Sequence, residues 1–123
     1  MKVFAENRKA RNSYEFLEII EAGIVLTGSE TKSIRSGGAS LVDAFAIIED
    51  EEIWIRELNI ERYKYSNEEE YETRRARKLL LHKKEIKRLI GLTSVRGNSL
   101  VAIKLFEKNG FIKVNLALAK GIK

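Results

Sequence analysis

The sequence predicts a mainly β domain, a small barrel closed by flanking helices. Stretches rich in aromatic and β-branched residues recur at 13–27, 44–48, 53–58, 99–106 and 111–118. An acidic tip at 49–52 and an Asn109-Gly110 turn join four of these into two hairpins. Helical signals appear only over 28–36 and 83–96. At 123 residues the chain is long enough for one core and too short for two, so 1–123 reads as a single domain with a basic N-terminal arm over 1–12.

In that arm Lys2, Arg8, Lys9 and Arg11 face one carboxylate, Glu6. Partial order is expected in isolation, with ordering on a nucleic acid. A long strand follows from Ser13 to Thr27, broken at Ala22-Gly23, where Gly23 marks either a barrel bulge or a plain hairpin turn. Gly28-Ser29 opens a helix through Ser36, with Ser29 as its cap and Gly37-Gly38 as its stop. Lys32 and Arg35 share one face of it, and Ile34 points inward.

After a turn at 40–43, the first hairpin crosses Glu49-Asp50-Glu51-Glu52, whose consecutive carboxylates suit solvent better than a metal. Ile53 and Ile55 alternate with Trp54 and Arg56, and Trp54 reads as cover for the barrel rather than a base-stacking platform. Residues 59–73 form a polar connection holding Tyr63, Tyr65 and Tyr71. From Lys83 to about Arg96, Ile86, Leu89, Ile90 and Thr93 recur at helical spacing opposite Lys84, Lys87 and Arg88. His82 stands at the cap, Glu85 is placed to reach back to its amide, and Gly97 ends the helix. In the last hairpin Val101, Ile103 and Leu105 alternate against Ile112, Val114 and Leu116 to face the core, leaving Lys104 and Lys113 outside.

The net charge of +5 conceals a sorting. Residues 12–72 hold five cations against fifteen carboxylates, whereas 73–123 hold fourteen cations against only Glu85 and Glu107. The densest stretch is Arg74 to Arg88, with cations on both sides of Leu79-Leu80-Leu81. Unpaired cations are not buried, so this strip is expected on the surface, where Arg forks and mobile Lys charges suit a phosphate backbone. RNA or DNA is therefore the first partner to consider, with Arg75, Arg77 and Lys78 as the leading contacts.

Other chemistries find little support. The chain has no cysteine, one histidine (His82) and two aspartates (Asp43 and Asp50), and no glycine-rich phosphate-binding loop carrying Lys and a hydroxyl. No catalytic residue, metal or cofactor is expected, and the chain reads as a binding protein rather than an enzyme. It contains no apolar run long enough to span a bilayer, and Met1 to Arg8 lack a secretory apolar segment, so a cytoplasmic location without a membrane partner is expected.

Several ordered motifs resemble the bacterial SsrA-binding protein family, small protein B. They are Asn7-Arg8-Lys9-Ala10 with Tyr14, Glu21 to Arg35, Asn59-Ile60, Arg75 to His82, and Leu118-Ala119-Lys120-Gly121. The resemblance implies an oligonucleotide-binding (OB-like) barrel with flanking helices. It also implies an adaptor that binds the tRNA-like domain of transfer-messenger RNA and brings it to stalled ribosomes, at the decoding region of the small subunit, for trans-translation. The family's RNA-contact cluster maps onto Asn7, Glu21, Leu80 and His82. On their own pattern, Leu80 is equally a core residue, His82 a cap and Glu21 a partner for a cation. Lys9, Arg11, Gly23, Lys32, Arg35, Lys83 and Lys120 complete the candidate RNA-binding set with Arg75, Arg77 and Lys78. A carboxylate such as Glu21 cannot serve a phosphate, but it can accept from a base amino group or a ribose hydroxyl, or orient an Arg. Family members continue into a basic tail where this sequence has Ile122 and ends at Lys123. A form without that tail is expected to bind the RNA and to fail in tagging. The alternative reading is a ribosomal or general single-stranded-RNA-binding barrel protein.

Overall fold

The computed structural model describes residues 1–122. Along the chain run β1 (Lys2–Glu6), α1 (Ala10–Ser13), β2 (Tyr14–Ile24), α2 (Gly28–Arg35), β3 (Ala39–Ser40) and β4 (Phe45–Glu49). Then come β5 (Glu52–Arg56), β6 (Asn59–Ile60), β7 (Arg77–Leu80), α3 (Lys83–Thr93), β8 (Asn98–Lys108) and β9 (Phe111–Gly121). Every pairing is antiparallel, and the order β8-β4-β5-β7-β2-β9 returns to β8, closing a ring. β1 adds to β8 from outside, and β3 with β6 forms a separate small sheet. The expected mainly β fold with flanking helices is present.

Both hairpins close through two-residue loops whose residues take positive φ, Asp50-Glu51 and Asn109-Gly110. That conformation matches the twist of the strands it joins. Glu52 therefore belongs to β5, and the predicted four-residue acidic tip is shorter than expected. The ring encloses Ile20, Ala22, Ile53, Ile55, Leu79, Leu100, Leu105, Val114 and Leu116, joined by Ile34 of α2 and Ile86 and Leu89 of α3.

Several sequence expectations need correction. The arm is ordered, because β1 finds ladder partners on β8 and α1 packs Ala10 against Val101, Ala117 and Ala119. β2 runs unbroken through Gly23, and its register shift lies between Phe16 and Glu18. In β8 a shift between Ala102 and Lys104 reverses the alternation. Leu100, Ala102 and Leu105 consequently face the main core, while Val101 and half-buried Ile103 belong to the cluster under α1. Helix α2 is capped by Thr27, not Ser29: the Thr27 hydroxyl accepts from the Glu30 amide (3.1 Å) while the Glu30 carboxylate accepts from the Thr27 amide (2.9 Å).

The largest correction concerns Arg77, which is 0% exposed and cannot contact RNA. Its Nε donates to Glu30 (2.7 Å), one terminal nitrogen to the Leu58 carbonyl (2.7 Å), and the other to the Tyr71 hydroxyl (3.0 Å) and the Thr73 carbonyl (3.1 Å). Arg75 closes on the same Glu30 carboxylate. A buried guanidinium is tolerated here because acceptors from three chain segments surround it. Burial by itself would raise the Glu30 carboxyl, but bonds from Arg75, the Thr27 amide and Arg77 outweigh it and hold the group below its ordinary value.

Replacing Arg77 by Met leaves the buried Glu30 carboxylate with Arg75 as its one remaining cation and empties a buried polar seat, and is expected to cost about 3–5 kcal/mol in denaturant unfolding. Because the folded-state value of Glu30 is depressed, its contribution is present above the ordinary Glu range and is lost as pH falls through the depressed value. Glu30→Gln is therefore expected to be less stable than the parent at pH 7, and to lose less further stability on acidification from about pH 5 to about pH 3.

Candidate nucleic-acid interface

The surface around the junction of β2, β7 and α3 gathers much of the predicted RNA cluster. Leu79 at the start of the apolar triplet is 1% exposed, and the strand alternation turns its neighbour Leu80 out to 53% exposure. Leu80 pairs in register with Gly23, which pairs on its other side with Lys113. A Cβ on Gly23 would come within 3.2 Å of the Leu80 Cβ, so glycine lets the leucine lie across the strand. The result is an open groove of about 650 Å3 lined by Glu18, Ile19, Glu21, Gly23, Leu80, His82, Glu85 and Lys113 among others.

His82 occupies the N-cap position of α3, but its side chain makes no capping bond, so the ring remains available to the groove. The expected capping box is absent because Glu85 turns to Arg88. Arg88 also grips Glu18 with two nitrogens, tying α3 to β2. Hydrogen bonding from Arg88 keeps the Glu18 carboxyl below its ordinary value, and the bonds to Glu18 and Glu85 raise the guanidinium. Glu21 accepts from Lys108, whose Nζ lies 3.2 and 3.4 Å from the two carboxylate oxygens.

The structure does not bring every predicted residue here. Asn7 and Lys9 line a second hollow of about 840 Å3 with Tyr14, Val42 and Phe45, where the Asn7 amide donates to the Val42 carbonyl at 3.3 Å. In register, Glu21 faces Asn115, Asn115 faces Lys104 and Lys104 faces Glu6, which puts Asn7 beyond the third neighbouring strand. At about 4.8 Å per strand that is about 14 Å along the sheet.

Of the remaining candidates, Arg11 lies over Phe16 (4.4 Å), Lys32 over Tyr63 (5.8 Å) and Arg35 over Phe4 (5.7 Å), and Arg35 also pairs with Glu107. Lys120 pairs across strands with Glu15 and Asn98. Arg75 is engaged by Glu30, and Lys78 approaches Glu52 at 3.4 Å. Arg74 is held by Glu57. The Arg74–Arg88 strip is thus largely paired within the protein, against the sequence expectation of an open cationic surface.

Among the described residues, α3 carries a run of open positive charge. Lys83, Lys84 and Lys87 are exposed and, among the described residues, have no carboxylate within salt-bridge distance. Lys84 and Lys87, and with them Lys108 and Lys113, were missing from the predicted site. The helical period had already put Lys84 and Lys87 on the solvent face, whereas nothing local to Lys108 announced its cross-strand reach to Glu21. No cluster of three metal-ligating side chains occurs among the described residues.

Comparison with known proteins bears on the family and the fold. A family model described as "SmpB protein" matches residues 4–123. The SsrA-binding protein of Rhodococcus jostii is 51% identical over 120 residues, covering 98% of this chain and 76% of its own. That of Pelotomaculum thermopropionicum is 47% identical over 123 residues, covering 100% and 80%. A solved chain from "tmRNA-SmpB: a journey to the center of the bacterial ribosome" superposes with a TM-score of 0.78 at 44% identity, covering 96% of this chain and 83% of that one.

The two adjacent leucines provide a direct check on the outward turn of Leu80. Leu79→Ala is expected to cost about 2–5 kcal/mol in chemical unfolding, and Leu80→Ala no more than about 0.5 kcal/mol. Equal losses would return Leu80 to the core.

Proposed function

This chain belongs to the SmpB protein family, and on that premise we propose that it is an RNA-binding adaptor. It binds the tRNA-like domain of transfer-messenger RNA and delivers it to stalled ribosomes for trans-translation. The observation that carries the reading is the groove that joins Glu21, Gly23, Leu80 and His82 beside the open lysines of α3. A folded RNA offers two things to such a surface: phosphates along its helices and unstacked bases in its loops. Lys83, Lys84 and Lys87 supply charge for the first, and the groove has the donors, acceptors and apolar walls for the second.

The second hollow, around Asn7 and Lys9, lies away from this groove and is free to meet a further RNA surface at the decoding region of the small subunit. The adaptor carries out no reaction of its own. No described helix is long and apolar enough to cross a membrane, and work on ribosomes puts its action in the cytoplasm. A general single-strand binder would need aromatic side chains aligned on exposed strands. Trp54, the single tryptophan, is instead half-buried on β5 between Ile47 and Lys78.

Competition at matched salt tests the proposal: the tRNA-like domain is expected to displace an unstructured RNA of equal length, and the reverse order would favour the single-strand reading. In the same assay, neutralising Lys83, Lys84 and Lys87 is expected to flatten the dependence of log affinity on log salt by roughly 0.7–0.9 for each phosphate that no longer meets a cation. An unchanged slope would move the phosphate-binding surface off α3.

A further inference from the structure

We infer that the groove between β2, β7 and α3 reads an unpaired guanine of the bound RNA, with Glu21 as the acceptor and Lys108 as a placeholder that the base displaces. The inference rests on the RNA-adaptor reading and adds to it a base and an atomic contact.

The groove is unusual for a cationic RNA binder because its walls contribute three carboxylates, Glu18, Glu21 and Glu85. A carboxylate offers a phosphate no donor, so these three side chains are not what would hold the sugar-phosphate backbone. Whatever enters must bring N–H or O–H groups. Glu18 and Glu85 are already committed to Arg88, a planar fork that bonds both. Glu21 is held differently. Its partner is one ammonium on a flexible, exposed side chain, nearly equidistant from the two oxygens at 3.2 and 3.4 Å. The ammonium therefore occupies the seat of a two-pronged donor. Exposed pairs of this kind are weak and readily exchanged.

Among the four RNA bases, only guanine presents two adjacent N–H donors on its Watson–Crick edge, N1–H and N2–H, at a spacing that matches both oxygens of a carboxylate. Adenine and cytosine place an acceptor nitrogen beside their amino group, and uracil flanks its single N–H with carbonyls. Either arrangement would oppose a lone pair to a carboxylate oxygen. An unpaired guanine in an RNA loop can be splayed out to be read on this edge. Ile19 and Leu80, 46% and 53% exposed, supply apolar surface for the face of the ring, and Gly23 puts no side chain between them. His82, free of any capping bond, adds a flat polar neighbour. Once displaced, the Lys108 ammonium is free to meet a phosphate.

The test is a cycle with the tRNA-like domain of transfer-messenger RNA as probe. Each unpaired loop guanine is replaced in turn by inosine, which lacks only the N2 amino group. At one position inosine is expected to weaken binding to the unmodified protein by about tenfold, and to Glu21→Gln by less than twofold. Lys108→Met is expected to keep the inosine penalty while lowering the salt dependence. Equal penalties in the parent and Glu21→Gln, or a penalty abolished by Lys108→Met, would overturn the assignment. Tight binding with no inosine-sensitive position would refute the guanine reading and leave the adaptor standing. Loss of preference for the tRNA-like RNA over an unstructured strand would refute the adaptor itself. The melting curve of each variant is expected to match that of the parent, since both side chains lie on the surface.

Discussion

The buried carboxylate of Glu30 is the constraint from which the rest of the molecule is arranged. It caps α2 through the Thr27 amide, accepts from Arg75 and from buried Arg77, and lies 3.2 Å from the Tyr71 hydroxyl. One side chain thereby fixes the start of a helix, the entry to β7 and the far end of the polar connection over 61–73. Such a cluster is costly to desolvate, and an apolar replacement of equal volume can be as stable. Its value is directional. Arg77 has one way to satisfy its donors here, and that sets the register and facing of β7. Leu79 then points in, and Leu80 points out beside Gly23.

The same reasoning explains why charge sorting in the sequence did not become a continuous cationic ledge. Arg35, Arg56, Arg74, Arg75, Arg77 and Arg88 all close on glutamates of this chain. The planar guanidinium suits such fixed, multiply bonded pairs, whereas a lysine loses more of its hydration and freedom for a single point contact. Four arginines of the later part, Arg74, Arg75, Arg77 and Arg88, are taken up by three carboxylates of the acidic middle, Glu57, Glu30 and Glu18. On α3 the open positive charge falls to Lys83, Lys84 and Lys87.

Much of this was legible in the sequence where the signal was local. Asn109-Gly110 marked its hairpin because only a few residues tolerate paired positive φ. Ile86 and Leu89 marked the inner face of α3 because the helical period is rigid. The errors arose where the deciding partner was distant. The register shift after Ala102 leaves no mark on β8 itself, so simple alternation put Val101 on the wrong face. By contrast, Thr27-Gly28-Ser29-Glu30 already contained a capping box, whereas a cap at Ser29 would put Lys32 where the box needs Glu or Gln, so this signal was local and was missed. Arg77 looked like its neighbours in an exposed strip because its acceptors, Leu58, Tyr71 and Glu30, lie 6 to 47 residues away in sequence. The candidate groove was half visible: motif resemblance supplied Glu21, Leu80 and His82, while folding puts Asn7 in a separate hollow and Lys108 on Glu21.

A division of labour follows from placing acidic and basic groups side by side. Phosphate contacts are the same on every RNA, so lysines on an exposed helix attract strongly and discriminate little. A carboxylate does the opposite. It gives a phosphate no donor, and it rewards only an edge that offers donors in the right place. With Glu18 and Glu85 held by Arg88 and Glu21 by Lys108, the selectivity of the groove lies in that demand for donors and not in repulsion. Keeping Glu21 under a mobile lysine rather than a fixed arginine leaves the carboxylate neutralised until a matching edge displaces the ammonium.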